Sequence, residues 1–433
     1  MRNEELKQED LNYIFHPCSQ MKDYEKLPLI PIKSAKGSYI EDFEGNRYLD
    51  CISSWWVNIF GHANPYINEV IKKQVEELEH IIFAGFTHKP AIDLARRLVE
   101  LTPKGLDKVF FADNGSSAIE IALKMAFQYF KNKGESRPLF VSLTNSYHGE
   151  TMGALAVSDT GLYKEVYEDI LIKSIHAKSP SQFSEDEALD DMEKILKQNQ
   201  GKINSVVIEP LIQCAGSMRM YKPSYITKLR ALCDRYEVFL IADEIAVGFG
   251  RTGSMFAIEQ AGITPDFLCL SKGITGGYMP LSVVLFSNDI YNAFYCDYNE
   301  GKSFLDSHSY TGNTLACAVA NAVLDIFENE RVIEENKKSI ALIKKECEKF
   351  NSLDNVLEVR QTGMVCAIEL QGYASEQRIG LQIYQEALKH GVYIRPLGHV
   401  IYFMPPYCFS DVELLKMINT TYTIVEKLNN KKL

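Results

Sequence analysis

The sequence predicts an α/β fold: a large domain with a mainly parallel sheet between layers of helices, and a smaller α+β domain. The first observation behind this class is the alternation of short apolar runs with helical periodicity between KVFFAD (residues 108–113) and LSVVLFS (281–287). The second is the length of 433 residues, which suits one large and one smaller domain. The third is the change to long helices, such as TLACAVANAVLDIFEN, before a mixed C-terminal segment.

Composition argues against several classes of protein. The formal net charge of −11 comes without a compensating block of positive charge, which disfavours a nucleic-acid partner. No apolar run approaches the length of a membrane span, and the charged N-terminus lacks the apolar core of a signal peptide. The ten cysteines include no C-x-x-C pair, which predicts reduced, mostly buried thiols and no metal site. We therefore expect a cytoplasmic enzyme or binding protein.

The first 60 residues mix short strand signals with turns. SYIEDFEGNRYLDC alternates polar and apolar residues around Glu44-Gly45-Asn46, which predicts a β-hairpin. Trp55 and Trp56 follow side by side, and neighbouring side chains of an extended segment face opposite ways. At most one indole therefore needs to be in the core, and the other can line a cleft as a flat apolar wall.

Helices and strands then follow each other in order. Helical periodicity covers about residues 66–101 and ends before Pro103. The next segments are predicted as a strand (KVFFAD), a helix (SSAIEIALKMAFQYFKNKG), a strand (PLFVSL), a helix (DDMEKILKQNQ), a strand (VVIEP), a helix (TKLRALCDRYE) and three further strands (FLIA, FLCL and LSVVLFS). About one helix's worth of residues separates FLIA from FLCL.

Two charged residues stand at the ends of apolar runs. FLIA (239–242) leads to Asp243, and FLCL (267–270) leads to Lys272 after a serine. If these runs are adjacent parallel strands, both side chains face the crevice where open α/β sheets bind ligands. A buried lysine in such a place is a candidate for Schiff-base chemistry. A buried carboxylate needs a cation, and a protonated pyridine nitrogen would satisfy it.

Two loops could complete a ligand site. Gly115, Ser116 and Ser117 lie between a strand end and a helix start, where backbone N–H groups and hydroxyls suit a phosphate. An ordinary helix cap, with Ser117 and Glu120 as a capping box, is the alternative for that stretch. Tyr147 follows the next strand and could lie flat against a planar ligand. His148 beside it is either catalytic or structural.

Four features together indicate pyridoxal phosphate (PLP) as cofactor. They are a helix N-terminus that suits a phosphate, an aromatic side chain that can cover a planar ring, a carboxylate and a lysine. A competing motif is GFGRTG (248–253), which matches the G-x-G-x-x-G fingerprint of dinucleotide-binding proteins. That fingerprint should follow its strand directly and open a helix, whereas residues 244–247 intervene here. A NAD-dependent oxidoreductase and a non-catalytic binding protein stay as alternatives to a PLP enzyme.

With these motifs, the chain resembles the class III aminotransferases, which have the aspartate-aminotransferase fold (fold type I) and use PLP. IADEI with GFGRTG and the downstream SKG carry the resemblance to the family, and SSWW, GSMRMY and IRPLG with IYFMPPY resemble one subgroup. That subgroup aminates 8-amino-7-oxononanoate to 7,8-diaminononanoate in biotin synthesis, with S-adenosylmethionine as donor. The resemblance implies a large PLP-binding domain at 61–329 and a small α+β domain at 330–433, to which 1–60 contributes.

The resemblance also implies roles for individual residues. Lys272 would bind the cofactor and move a proton, Asp243 would pair with the pyridinium, and Tyr147 would stack on the ring. A homodimer with shared active sites is implied as well. The implied cofactor-binding set is Gly115, Ser116, Ser117, Tyr147, Asp243, Lys272, His308 and Ser309, the last reaching the phosphate from the second subunit. The implied substrate-binding set is Trp55, Tyr147, Arg251 at the pocket edge, Lys272, Ser307 and Arg395, whose guanidinium suits a carboxylate.

Three departures from the family pattern concern the substrate or donor region. Cys18 stands where a tyrosine is usual, Glu150 replaces an aspartate, and residues 306–311 read Asp-Ser-His-Ser-Tyr-Thr instead of His-Gly-Pro-Thr-Phe. Because these residues lie in the substrate or donor region, the departures bear on the identity of the amino donor more than on the type of reaction. The nearest alternative is another aminotransferase of this class, acting on ornithine, 4-aminobutyrate or a polyamine, or using lysine as donor.

Overall fold

The computed structural model describes residues 2–430, apart from the side chains of Leu162 and Asn430, and contains two compact units. One unit, the split unit, joins Met1–Pro65 to Asn336–Leu433, and the other, the central unit, is Tyr66–Glu335. None of the helices in the described residues combines the length and apolar character needed to span a bilayer.

Helices and strands are numbered in chain order. The α-helices of the described residues are α1 (Asn3–Tyr13), α2 (Ser53–Trp56), α3 (Pro65–Glu77), α4 (Lys89–Leu101), α5 (Gly115–Asn132), α6 (Met152–Ala156), α7 (Gly161–Lys164), α8 (Glu185–Gln198), α9 (Pro223–Arg235), α10 (Asn288–Asn292), α11 (Thr314–Glu330), α12 (Val332–Cys347), α13 (Ile379–Lys389) and α14 (Asp411–Asn430). The strands are β1 (Ile32–Lys36), β2 (Tyr39–Asp42), β3 (Arg47–Asp50), β4 (Lys108–Ala112), β5 (Leu139–Leu143), β6 (Ser174–Ala177), β7 (Ile203–Ile208), β8 (Ile212–Gln213), β9 (Arg219–Met220), β10 (Phe239–Asp243), β11 (Phe267–Leu270), β12 (Ser282–Phe286), β13 (Val356–Thr362), β14 (Val365–Leu370), β15 (Val392–Tyr393) and β16 (Val400–Phe403).

Two small sheets form the framework of the split unit. Their strand orders are β1-β2-β3-β15 and β13-β14-β16, with β15 parallel to β3 and the other pairs antiparallel. The predicted hairpin is confirmed, because β2 and β3 pair on either side of Glu44-Gly45-Asn46. Asp42 stabilises its turn by accepting the backbone N–H groups of Glu44 and Asn46 at 2.9 and 2.8 Å.

A seven-stranded sheet in the order β4-β12-β11-β10-β7-β5-β6 forms the framework of the central unit. β12 runs antiparallel to both of its neighbours, and the remaining pairs are parallel. The predicted mainly parallel sheet flanked by helices is therefore confirmed. Helix α5 packs on the sheet through buried side chains such as Ile119, Leu123 and Ala126, which share one core with Val207 and Ile241.

Two predictions of helix position were wrong. The helical stretch at 66–101 is two helices, α3 and α4, with residues 78–88 between them. The helix expected between β10 and β11 is only the short 3₁₀ segment Ala257–Ala261, which ends at Gly262 with φ 63°. Glycine reaches this left-handed conformation without steric cost, so it terminates the segment after five residues.

The segment that carries the two tryptophans is not extended. Ser53, Ser54, Trp55 and Trp56 have φ values of 52°, 46°, 70° and 76°, and the N–H of Trp56 donates to the carbonyl of Ile52 at 2.8 Å. The backbone of α2 thus makes one turn of left-handed, not right-handed, helix, which costs about 1–2 kcal/mol per L-residue. As expected, one indole is buried, since Trp56 is 4% exposed and Trp55 is 40% exposed. The cause is this turn rather than strand alternation.

Candidate active site

Three parallel strands of the central sheet end side by side. β10 lies between β7 and β11, with Ala242 opposite Ile208 and Asp243 opposite Cys269. Glu209 directly follows β7, and Lys272 follows β11 by two residues. The acid and the lysine singled out in the sequence therefore stand at adjacent strand ends, on the sheet edge where α/β proteins bind ligands.

Asp243 is held by a buried histidine. Its Oδ2 lies 2.8 Å from His148 Nδ1, and its Oδ1 accepts the backbone N–H of Ile245 at 3.1 Å. His148 and Asp243 are only 2% and 5% exposed. A carboxylate this buried requires strong donors, which the imidazole Nδ1–H and the amide supply. The hydrogen bond makes His148, left between two roles by the sequence, the partner of Asp243.

Lys272 starts the 3₁₀ turn Lys272–Thr275 with φ 48°. Desolvation lowers the pKa of its ammonium group, and the carboxyl groups of Asp243 and Glu209 oppose that shift. A lysine with a lowered pKa holds more of the neutral amine, which is the form that attacks an aldehyde. The next residue, Gly273, packs closely on a neighbouring loop, because a Cβ there would lie 3.0 Å from the Cβ of Phe249, which would have to shift by a few tenths of an ångström.

Glu209 links two loops at this edge and was not among the predicted site residues. Its Oε1 accepts the backbone N–H of Tyr147 at 3.0 Å, and its Oε2 accepts that of Cys214 at 2.9 Å. Burial raises the pKa of Glu209 to about 7, although both amides favour the charged form. The only available sequence signal was its place at the end of the VVIE strand, which resembles that of Asp243.

The predicted phosphate loop is the N-terminus of the 18-residue helix α5. Asn114 caps this helix by accepting the N–H of Ser117 at 3.0 Å, so the predicted capping box of Ser117 and Glu120 was wrong. Glu120 instead accepts the N–H of Gly153 at 2.6 Å. Residues 115–117 are partly exposed and present helix N–H groups and hydroxyls, which suit an anion.

Gly149 packs directly on this helix start. It has φ 128°, and a Cβ at this position would overlap the Oγ of Ser116. The Oγ of Ser116 also accepts the N–H of Glu150 at 3.2 Å. The loop after β5 is therefore fitted to the N-terminus of α5, and only glycine meets both the space and the φ requirement.

Tyr147 lies in the same loop as His148. Its hydroxyl donates to Glu150 Oε1 at 3.0 Å, and its ring centroid lies 5.5 Å from that of Tyr163. Glu150, which departs from the family pattern by one methylene, therefore contacts the phenol that was predicted to face the ligand.

In the split unit, three residues singled out in the sequence lie together. The guanidinium carbon of Arg395 is 4.6 Å from the ring centroid of Trp55, which is a cation–π distance. Arg395 Nη2 also donates to the backbone carbonyl of Cys18 at 3.4 Å. The unusual Cys18 thus contributes its main chain to this cluster, so a different side chain at residue 18 leaves that contact possible.

The remaining predicted residues differ in exposure. Arg251 is 1% exposed, although the resemblance placed it at a pocket edge, and its contact with substrate stays a prediction. Ser307 and Ser309 are exposed on the irregular segment 301–313. Between them, His308 forms a closed turn with Thr311 through bonds of 3.1 and 2.8 Å.

The groups at the central sheet edge fit PLP. An amine with a lowered pKa suits the aldehyde, a carboxylate held by His148 suits a pyridinium, and the start of α5 suits a phosphate. NAD is disfavoured because GFGRTG lies in turns and opens no helix in the described residues. The ten cysteines are free thiols, seven of them buried, as predicted.

The family model described as Aminotransferase class-III matches residues 20–425. This match covers nearly all of the chain and includes every strand end described above. The chain belongs to the class III aminotransferases.

Two of the similar proteins carry the same name. The chain is 48% identical over 97% of both lengths to the adenosylmethionine-8-amino-7-oxononanoate aminotransferase of Helicobacter pylori. The crystal structure of the enzyme of that name from Methanocaldococcus jannaschii is 37% identical, with a TM-score of 0.95 over 98% of this chain and 99% of the other. An amine transaminase of an uncultivated Pseudomonas species, in the PLP-bound form, is 31% identical, with a TM-score of 0.91 over 96% and 98%. These neighbours confirm the predicted fold type and the aminotransferase class.

Proposed function

We propose that this chain is a PLP-dependent enzyme that aminates 8-amino-7-oxononanoate to 7,8-diaminononanoate, with S-adenosylmethionine as amino donor, in cytoplasmic biotin synthesis. The observation that carries the proposal is the placement of Asp243, bound to His148, at the strand end next to that of Lys272. The shared name of relatives at up to 48% identity supports the choice of substrate.

The bound cofactor would supply an aldehyde that takes up the donor's amino group and a ring that accepts electrons from the substrate carbon. Lys272 would hold the cofactor, and its Nζ would carry the proton that is moved in the reaction. Asp243 would keep the pyridine nitrogen protonated, and His148 orients that carboxylate through the 2.8 Å bond. Tyr147 would lie against the cofactor ring, from a loop whose backbone N–H at residue 147 is bound by Glu209.

Phosphate binding falls to the start of α5, with Gly115, Ser116 and Ser117 as donors. We assign Ser309 and His308, with Ser307 toward the substrate, to the site of a second subunit in a homodimer. Exposed apolar side chains in the same segment support that assignment, since Leu305 is 92% exposed and Tyr310 is 65% exposed.

Substrate recognition involves both an apolar chain and a carboxylate. Trp55 is suited to the apolar chain of 8-amino-7-oxononanoate, and the guanidinium of Arg395, 4.6 Å from its ring, is suited to the carboxylate. Arg251 is the second arginine that we assign to the substrate region. Cys18 and Glu150 bear on which amino donor the enzyme uses. Lysine is the alternative donor to S-adenosylmethionine.

The test is a half-reaction followed by absorption. Protein reconstituted with PLP should show a visible band, lose it on addition of S-adenosylmethionine and regain it with 8-amino-7-oxononanoate. A band that is unchanged by both S-adenosylmethionine and lysine would overturn the proposal. Ornithine, 4-aminobutyrate and a polyamine serve as comparison donors, and rescue of a biotin auxotroph that lacks this step decides between the subgroup and its neighbours.

A further inference from the structure

The left-handed turn at Ser53–Trp56 requires strong support from its surroundings. Left-handed conformation is unfavourable for every residue with a Cβ, and this turn contains no glycine. Asp50, at the end of β3, is 0% exposed and is hydrogen-bonded to this turn. Its Oδ2 accepts the hydroxyl of Ser54 at 2.7 Å, and its Oδ1 accepts the N–H of Ser54 at 3.0 Å. One carboxylate thus accepts hydrogen bonds from both the backbone N–H and the hydroxyl of the second residue of the turn.

His62 completes the support of Asp50. Its Nε2 lies 3.1 Å from Asp50 Oδ2, and its Nδ1 lies 3.0 Å from Asn58 Nδ2. Both ring nitrogens of His62 are therefore engaged, one by the carboxylate of Asp50 and the other by the side-chain amide of Asn58. The main chain of His62 is fixed as well, since it exchanges two hydrogen bonds with Gly37 at 2.9 and 2.8 Å.

The turn sends its two indoles to different surroundings. Trp56 is buried and donates through Nε1 to the hydroxyl of Tyr402 at 3.0 Å. Trp55 stays 40% exposed beneath the guanidinium of Arg395. An extended or right-handed segment would aim these side chains differently, so the position of Trp55 depends on the left-handed turn.

We propose that Asp50, together with His62 and Ser54, is a positioning residue that fixes the indole of Trp55 beside Arg395 and thereby sets selectivity for the apolar chain of the amino acceptor. The selectivity part rests on the proposed function. The positioning part concerns the split unit alone and can be measured without any reaction.

Positioning is tested in PLP-loaded protein that carries Trp56→Phe, so that Trp55 is the sole tryptophan. Asp50→Asn should raise acrylamide quenching of its fluorescence, by up to about 2.5-fold, the ratio of full exposure to 40% exposure. The matched control is Asp42→Asn, which also removes a carboxylate that is 0% exposed and accepts two backbone N–H groups of a turn. Quenching in that control should stay at the parent value, and equal quenching in both variants would overturn the positioning role.

Selectivity is tested by steady-state kinetics with otherwise unaltered tryptophans. Asp50→Asn should raise KM for 8-amino-7-oxononanoate about tenfold, with kcat little changed and KM for the donor unchanged. Ser54→Ala, which keeps the buried carboxylate, should act in the same direction more weakly and serves if Asp50→Asn does not fold. Raised quenching with unchanged KM would overturn the selectivity part. Inactive wild-type protein would overturn the proposed function, while quenching would still decide the positioning role.

Discussion

His148 Nδ1 lies 2.8 Å from Asp243 Oδ2, and both side chains are almost completely buried. The bond joins the loop after β5 to the end of β10, so two separate segments of the chain fix one carboxylate. A carboxylate fixed in this way is prepared to receive a cation without further rearrangement, which is how enzymes preorganise electrostatic stabilisation.

Replacing Asp243 tests whether this carboxylate supplies the counter-charge for the bound cofactor. Asp243→Asn should bind PLP but lose about 10²–10³-fold in kcat, because the amide leaves the pyridine nitrogen without its counter-charge. His148→Gln keeps the carboxylate and should lose less. Steady-state rates and the visible absorption of the bound cofactor are the measurements. Near-normal turnover in Asp243→Asn would show that this carboxylate does not face the reacting group.

Glu209 and Glu244 form a matched pair for mutation. Both are buried carboxyl groups, and each accepts two backbone amides: Glu244 binds the N–H groups of Ala257 and Ile258 at 2.7 and 2.6 Å. Glutamine at either position leaves one N–H facing another donor, at a cost of about 1–3 kcal/mol. Only Glu209→Gln should also lower kcat/KM, by about tenfold, since only Glu209 holds the loop of Tyr147. Equal losses of activity in the two variants would contradict this assignment.

The pH dependence of the free energy of unfolding should report the titration of the buried Glu244. Burial raises the pKa of Glu244 from 4.5 to about 8. The folded state therefore binds more protons than the unfolded state between these values, and stability falls as the pH rises through that window. Glu244→Gln should flatten the fall in Tm between pH 5 and 8 by the equivalent of about 3–5 kcal/mol. A profile as steep as that of the wild type would contradict the protonated, buried Glu244.

Gly149 offers a test of the helix start in which no polar side chain is replaced. Gly149→Ala adds a methyl group that overlaps the Oγ of Ser116 at φ 128° and should weaken PLP binding by at least about tenfold. The control is Gly134→Ala, where φ is 84° but no atom lies within 4 Å of the added Cβ. Both variants suffer backbone strain, so only a difference in cofactor affinity, measured by equilibrium titration, supports the role of residues 115–117. Equal affinities would contradict it.

Strong local signals made much of this protein predictable. Asp243 and Lys272 end short apolar runs, and parallel pairing of β10 with β11 brings such ends together by geometry alone. The missing helix before β11 has a physical reason, since Gly262 ends the only helical segment there after five residues. Tertiary contacts, by contrast, leave no simple mark in the sequence.

The left-handed turn at Ser53–Trp56 is one such case. Nothing in SSWW signals φ above zero, because the carboxylate that stabilises it, Asp50, lies outside those four residues. The cap of α5 is another case, since Asn114 and Ser117 both suit the N-cap and the backbone selects Asn114. Glu209 was not among the predicted site residues because its partners are the backbone N–H groups of Tyr147 and Cys214. Every residue except proline has such a group, so the sequence does not signal these contacts.

The most direct measurement is product formation by Lys272→Ala beside the wild type, both loaded with PLP. With S-adenosylmethionine and 8-amino-7-oxononanoate, the wild type should form 7,8-diaminononanoate, detected by mass spectrometry, and the variant should retain PLP yet form none above background. Borohydride reduction should attach the cofactor covalently to the wild-type chain at Lys272 and leave the variant unmodified. Product formation by the variant at near wild-type rate, or no product from the wild type with either S-adenosylmethionine or lysine, would contradict the account.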